Sequence, residues 1–133
     1  MGIKSDLDAN FDFDIIDEFL DHYSMMVDSM EIMILDLSKP HMQARSIDEL
    51  FRVFHNIKSA SGYLKIESML RLASLVEDAL EELRGCSHLV NEETINWLLL
   101  ISDMFNLWHE DFKNDNELSK IKFSLLKIPD LDK

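Results

Sequence analysis

The sequence is poor in glycine, proline and cysteine. Three Gly and two Pro leave few positions for tight hairpins, and no segment keeps the strict apolar–polar alternation of a half-buried strand. The single cysteine, Cys86, cannot form a disulfide within the chain. A sheet-rich or disulfide-stapled fold is therefore not expected, and 133 residues suit one domain that buries its own core.

Basic residues and long apolar runs are also scarce. Lys and Arg total 13 against 26 for Asp and Glu, a formal net charge of -13 that repels phosphate backbones. No apolar stretch reaches the roughly 18 residues of a membrane span, and the N-terminus has no basic region followed by an apolar run and a cleavage site. We expect a cytoplasmic monomer without nucleic-acid or membrane partners.

Apolar residues recur every three or four positions along four segments. This spacing predicts helices over about 13 to 37, 46 to 64, 67 to 83 and 92 to 112. Ser46 and Glu49 form a Ser-x-x-Glu capping box for the second helix, Gly85 ends the third, and Asn91 caps the fourth. Because the links are short, the pattern predicts an all-α, antiparallel up-and-down four-helix bundle.

The last part of the chain carries a weaker helical pattern. Asn114 and Asp115 offer a cap for a short additional C-terminal helix that contains Leu118, Ile121 and Leu125 and ends near Pro129. We therefore predict a bundle over about 13 to 112 and an appendage over about 115 to 128, within one domain spanning residues 1 to 133.

His55 is expected on the outside of the second helix. At about 100° per residue the helix has a single apolar stripe, and His55 lies about 150° from its centre. Lys58 falls on the same outer surface, and the small residues Ser59 and Gly62 follow one turn on. The stripe consists of Leu50, Val53, Phe54, Ile57, Ala60 and Leu64. An exposed histidine with a cation and two small neighbours is typical of a phosphoryl acceptor.

The remaining histidines fit ordinary surface or capping positions. His22, His41, His88 and His109 form no HExxH or Glu-x-x-His pair, and Cys86 has no partner at metal-ligand spacing. We expect no metal site. A cofactor bundle is also not expected, since inward-facing pairs of carboxylates and histidines are lacking.

Residues 54 to 64 read FHNIKSASGYL and resemble the signature of histidine-containing phosphotransfer domains. That signature has a histidine, a lysine three residues on and then small residues, on the second helix of a four-helix bundle. Residues 47 to 112 look like the N-terminal phosphotransfer domain of chemotaxis histidine kinases (CheA). The similarity includes Leu50-Phe51-Arg52 before the histidine and NEETIN, residues 91 to 96, at the start of the fourth helix.

The resemblance implies roles for individual residues. His55 would accept the phosphoryl group, Lys58 would stabilise its charge, and Glu77 on the third helix would accept a hydrogen bond from the ring. A carboxylate on Nδ1 holds the tautomer that leaves Nε2 nucleophilic. Partners would dock on Phe51, Arg52, Ser59 and Gly62. Without the resemblance, Glu77 fits a solvated carboxylate on a charged face.

The implied function is that of a phosphorelay intermediate. A histidine kinase would phosphorylate Nε2 of His55, and the group would pass to an aspartate of a response-regulator receiver domain. The sequence has no glycine-rich phosphate loop, so ATP and Mg²⁺ would belong to the partners and this domain would bind no cofactor. It would act as a phosphocarrier, either free-standing or as one domain of a larger kinase.

The alternative is a helical adaptor that binds signalling partners without phosphorylation. Lys58, Gly62 and Glu77 argue against it. Three positions depart from the family pattern. Ser59 and Lys65 stand where glycine is usual, and Ser74 stands where chemotaxis relatives have a histidine.

Overall fold

The computed structural model describes residues 2–132, and every regular element among them is helical. The α-helices are α1 (Ile3–Asn10), α2 (Phe13–Leu35), α3 (Gln43–Tyr63), α4 (Glu67–Arg84) and α5 (Glu92–Asn114). Short 3₁₀ helices cover Asp36–Ser38 and Phe123–Leu126. The all-α prediction is confirmed. None of the helices in residues 2–132 is both long and apolar enough to cross a membrane.

Helices α2 to α5 form an antiparallel bundle. Asp48, early in α3, pairs with Arg84 at the end of α4, whereas His55 pairs with Glu77 about two turns further in along each helix. These helices therefore run in opposite directions. A three-residue link, residues 64 to 66, joins them. Between α2 and α5, the Phe19 ring packs edge-on against Phe112, at the C-terminal end of α5. Helix α2 also packs along α3, which connects the α3–α4 pair to the α2–α5 pair.

The buried side chains form one core cluster that fixes the rotation of α3. Leu50, Phe54 and Ile57 are completely buried, and each such side chain contributes about 1.5–3 kcal/mol. Phe54 meets Phe105 of α5 edge-on, with ring centroids 5.4 Å apart. Since these residues lie on one side of α3, the opposite side of this helix faces solvent.

Tyr23 joins α2 to α5 by a buried polar contact. Its hydroxyl donates to the carbonyl oxygen of Phe105 at 2.6 Å. Burial, and then the charge of Asp111, raise the pKa of Tyr23 well above its ordinary value. The phenol therefore stays protonated and keeps this hydrogen bond.

The capping box predicted at Ser46 is wrong, because α3 begins one turn earlier, at Gln43. The Ser46 backbone N–H already donates to the carbonyl of Met42 at 2.9 Å, and Glu49 pairs with Arg45 instead of reaching back. Gln43 anchors the extra turn, since its side chain accepts from Val90 N at 2.9 Å. The predicted Asn91 cap is confirmed: its side chain accepts from Thr94 N at 2.7 Å.

Helix α1 was not predicted from the sequence. It is stabilised by Asp115, the residue that follows α5. The Asp115 carboxylate accepts hydrogen bonds from the backbone N–H and the hydroxyl of Ser5, and Ile3 N donates to the carbonyl of Asn116 at 2.8 Å. A Cβ at Gly2 would collide with the Asp115 carbonyl group. Asp115 thus caps the first turn of α1, not the short helix expected after it.

The segment after α5 is mostly irregular, and its helical part is the 3₁₀ helix Phe123–Leu126. Two indoles hold it, because Trp108 Nε1 donates to the Ser119 carbonyl at 2.8 Å and Trp97 Nε1 to that of Leu125 at 3.0 Å. Ser119 N also donates to the Asp111 carboxylate at 2.8 Å. These side-chain partners replace the backbone bonds of the α-helix predicted from the leucine and isoleucine spacing.

Candidate functional site

His55 lies in the middle of α3, on the side that faces solvent. Its side chain is 55% exposed, while its neighbours Phe54 and Ile57 are buried in the core. The structure therefore places this histidine where the periodicity of the sequence predicted it. A ring in this position is open to a partner protein, and its helix is held rigidly from the opposite side.

Glu77 of α4 contacts one nitrogen of the His55 ring. The distance from Glu77 Oε2 to His55 Nδ1 is 3.1 Å, and the Glu77 side chain is only 12% exposed. A carboxylate oxygen accepts, so Nδ1 carries the proton and Nε2 keeps its lone pair. The contact selects the tautomer in which Nε2 is the nucleophilic atom.

Lys58 contacts the second oxygen of the same carboxylate. Its Nζ lies 3.4 Å from Glu77 Oε1, and its side chain is 39% exposed. Lys58 follows His55 by almost one turn of α3, which brings both side chains to the same point on α4. One carboxylate thus orients an imidazole and holds an ammonium beside it.

An aromatic stack adjoins the ring on the other side. Phe51, one turn before His55, has its ring centroid 6.2 Å from that of the imidazole, and the two planes differ by 10°. The guanidinium carbon of Arg84 lies 4.5 Å from the Phe51 centroid. Asp48 and Glu81 hold Arg84 at 3.0 and 3.2 Å. The sequence predicted Phe51 as a docking residue but did not single out Arg84.

Arg84 is well placed for this contact because of the α3–α4 hairpin. The last turn of α4 lies opposite the first half of α3, which brings a C-terminal arginine near an N-terminal aromatic residue. Hydrogen bonds to Glu81 and Asp48 raise the pKa of Arg84 further above its ordinary value. The predicted antiparallel arrangement of α3 and α4 was the feature of the sequence that could have placed Arg84 near Phe51.

The small residues beyond His55 leave the outer face of α3 without large projecting side chains. Ser59 and Gly62 are exposed, as is Arg52 on the preceding turn. A Cβ at Gly62 would meet only Leu70 Cδ1 at an ordinary 3.7 Å. Gly62 is therefore not required by packing within this chain, and the open space above it is accessible to a partner.

A family model described as Hpt domain matches residues 14–111. The chain belongs to the Hpt domain family. The match runs from the start of α2 nearly to the end of α5 and includes His55, Lys58 and Glu77. Family membership supports a phosphotransfer role in two-component signalling and confirms the resemblance found in the sequence.

Two relatives are named chemotaxis protein CheA. The protein of Salmonella typhimurium is 26% identical over 113 residues, which cover 85% of this Hpt chain and 17% of that protein. The protein of Borreliella burgdorferi is 24% identical over 123 residues, covering 90% of this chain and 14% of the relative. The chain therefore spans less than a fifth of either protein. No solved structure matches it.

Proposed function

We propose that His55 carries a phosphoryl group between a histidine kinase and a response-regulator receiver domain. Nε2 attacks the γ-phosphorus of ATP held by the kinase, and the N–P bond forms as the bond to the ADP oxygen breaks. A carboxylate oxygen of the receiver aspartate then attacks phosphorus, and cleavage of the N–P bond restores the neutral imidazole. The observation that carries this proposal is the contact between Glu77 and Nδ1 of His55.

Glu77 acts in the first step. While Nε2 bonds to phosphorus, positive charge develops on the ring, and the carboxylate at Nδ1 stabilises it. The carboxylate is present before the reaction and is largely shielded from solvent, so little reorganisation is needed. Glu77 is therefore a positioning residue that also raises the nucleophilicity of the ring.

Lys58 acts on the phosphoryl group. Phosphorylation adds about 1.5 to 2 negative charges beside the Glu77 carboxylate. The Lys58 ammonium, held between this carboxylate and solvent, offsets the repulsion and can turn towards the phosphoryl oxygens. Lys58 thus makes the phosphorylated state compatible with the carboxylate that promotes its formation.

The partners approach the outer face of α3 through Phe51, Arg52, Ser59 and Gly62. Phe51 offers an apolar contact next to the ring, and the small residues admit the loops that surround a receiver aspartate. Because ATP and Mg²⁺ remain with the partners, this chain needs only to present Nε2. The likeness to CheA leads us to propose a chemotaxis-type kinase as the donor.

The experiment is phosphorylation of the full chain by the catalytic domain of a CheA-type kinase with labelled ATP, followed by addition of a receiver domain. We expect acid-labile, alkali-stable label on the wild type and none on His55→Gln. His41→Gln, which changes another exposed histidine, serves as the matched control. Both variants should keep wild-type helicity, since exposed substitutions shift stability by about 0.5 kcal/mol or less.

Uptake of label by His55→Gln at the wild-type rate would overturn the assignment. A chain that binds the kinase and receiver but takes up no label would indicate the alternative, an adaptor of the same fold.

A further inference from the structure

Cys86, His88 and Asp132 come together at the end of the bundle. The first two lie in the loop between α4 and α5, and Asp132 lies in the segment after the 3₁₀ helix Phe123–Leu126. Their ligand atoms, a thiol sulfur, a ring nitrogen and a carboxylate oxygen, all lie within 4.8 Å of one another. Spacing along the chain gives no sign of this cluster, because the carboxylate comes from a distant part of the sequence.

One nitrogen of His88 is buried and has no partner. Nδ1 lies 2.9 Å from the carbonyl oxygen of Leu89, and since a carbonyl can only accept, the proton is on Nδ1. Nε2 therefore has a free lone pair, yet it is inaccessible to solvent and has no hydrogen-bond partner among residues 2–132. A buried acceptor of this kind is unfavourable unless something binds it.

The hydrogen bond at Nδ1 is the one that a metal-binding histidine usually makes. A backbone carbonyl on the outer nitrogen fixes the tautomer and the ring orientation, and leaves the other nitrogen to the ion. The thiol of Cys86 has only a weak contact, 3.6 Å from the carbonyl oxygen of Glu82. The cluster thus offers a lone pair, a thiol and an exposed carboxylate that face one another.

The main chain on both sides of the cluster is held in place. The Gln43 side chain donates to the carbonyl of His88 at 3.1 Å, which ties the loop to α3. Leu131 is buried, and the Asn91 side chain donates to the carbonyl of Asp130 at 2.8 Å, which ties the terminal segment to the start of α5. The main chain that carries the potential ligands is therefore held in place by contacts that do not involve the ligand atoms.

We propose that Cys86 Sγ, His88 Nε2 and the Asp132 carboxylate bind Zn²⁺, with water as the fourth ligand. A set of sulfur, nitrogen and one oxygen suits Zn²⁺, whereas Mg²⁺ and Ca²⁺ prefer oxygen ligands only. The thiol gives up its proton to solvent when the ion binds. The bound ion joins the α4–α5 loop to the C-terminal segment, at a place separate from His55.

The test is titration of the metal-free full chain with Zn²⁺ by calorimetry and with Co²⁺ by absorption. We expect one ion per chain, with thiolate-to-cobalt charge transfer in the near ultraviolet. Cys86→Ser, His88→Gln and Asp132→Asn should each weaken binding by at least about tenfold. His41→Gln is the matched histidine control and should bind like the wild type. Circular dichroism of each variant establishes that the bundle is folded.

Two results would overturn the proposal. One is the absence of stoichiometric binding to the folded wild-type chain, and the other is an affinity that is unchanged in both Cys86→Ser and Asp132→Asn. The site is also separable from the phosphotransfer proposal, because Cys86→Ser should be phosphorylated at the wild-type rate whether or not it binds Zn²⁺.

Discussion

The Glu77 carboxylate contacts the two side chains of α3 to which we assign the phosphoryl chemistry, at 3.1 Å from His55 Nδ1 and 3.4 Å from Lys58 Nζ. We expect Glu77→Ala to slow phosphorylation of His55 by about tenfold to a hundredfold, since a charge-assisted hydrogen bond contributes about 1.5–3 kcal/mol. Labelling rates measure the effect, and ¹⁵N spectra of the ring measure the tautomer ratio. Asp78→Ala, at the exposed neighbouring position, should change neither. An unchanged tautomer ratio in Glu77→Ala would contradict the proposed contact.

Lys65 has a backbone conformation that is unfavourable for any residue with a Cβ. It follows the last turn of α3 with φ of 60°, in the left-handed region that favours glycine. Lys65→Gly removes about 1–2 kcal/mol of backbone strain from the folded chain. Glycine also makes the unfolded chain more flexible, which lowers the stability by about 0.4–1 kcal/mol. We expect a net gain of roughly 0.5–1 kcal/mol in urea unfolding. If Lys65→Ala, which keeps Cβ, gained as much, the cause would lie in the side chain instead.

Periodicity was sufficient to predict the exposure of His55, because Leu50, Phe54 and Ile57 fix the phase of α3 strongly. It could not identify Glu77, which is one of several acidic residues on α4 and was found only through the family resemblance. Ser46 misled the prediction, since the preceding turn is stabilised by Gln43 reaching the distant residue Val90. Side-chain contacts between separate segments decide such cases, and a single sequence does not reveal them.

At the scale of the element, the proposed docking role of the outer face of α3 depends on the small side chains beyond His55. Gly62→Leu should leave the bundle folded, because Gly62 is exposed and an added Cβ makes an ordinary contact. The larger side chain should keep a receiver aspartate from reaching phosphorus and slow transfer from His55 by about a hundredfold. Rapid-quench measurement of phosphotransfer to a receiver tests this prediction.

Ala44→Leu is the matched control for Gly62→Leu, since Ala44 is exposed on α3 but three turns before His55. It should transfer at the wild-type rate. If Gly62→Leu also transferred the phosphoryl group at the wild-type rate, the proposed docking role of this face would be wrong.

The long helices were predictable because each buries a continuous apolar stripe. Helix α1 was not, because within Ile3–Asn10 only Leu7 is buried, and its first turn depends on Asp115. The C-terminal segment has apolar residues at helical spacing, yet its carbonyls accept from the indoles of Trp97 and Trp108. In both segments, contacts with α5 or with the residue that follows it determine the backbone, and local propensity does not.

At the scale of the whole molecule, the described segments before and after the four-helix core attach to opposite ends of α5. Ile3 N donates to the carbonyl of Asn116 and Ser5 N to the carboxylate of Asp115, just after α5. The Asn91 side chain, just before α5, donates to the carbonyl of Asp130. Residues outside the four-helix core therefore close it at opposite ends. Because α3 and α4 take no part in these contacts, changes at either end should leave the His55 site intact.

The Asp115 contact makes the docking of α1 sensitive to acid. Hydrogen bonds from the Ser5 hydroxyl and then from the Ser5 backbone N–H lower the pKa of the Asp115 carboxyl from its ordinary value of 3.8. A carboxyl whose pKa is lowered on folding stabilises the folded state at pH values above its pKa in the unfolded chain. This contribution is lost as pH falls from 3.8 through the pKa of the folded state.

Asp115→Asn should therefore be less stable than the wild type at neutral pH. The difference in stability should shrink as pH falls below the pKa of the Asp115 carboxyl in the unfolded chain. Urea unfolding at a series of pH values measures the difference, and comparing variants removes the contribution of the other carboxylates. Asp103→Asn, at an exposed position of α5, should parallel the wild type at every pH. A stability difference between Asp115→Asn and the wild type that stayed constant with pH would mean that the ionised carboxylate does not hold α1 in place.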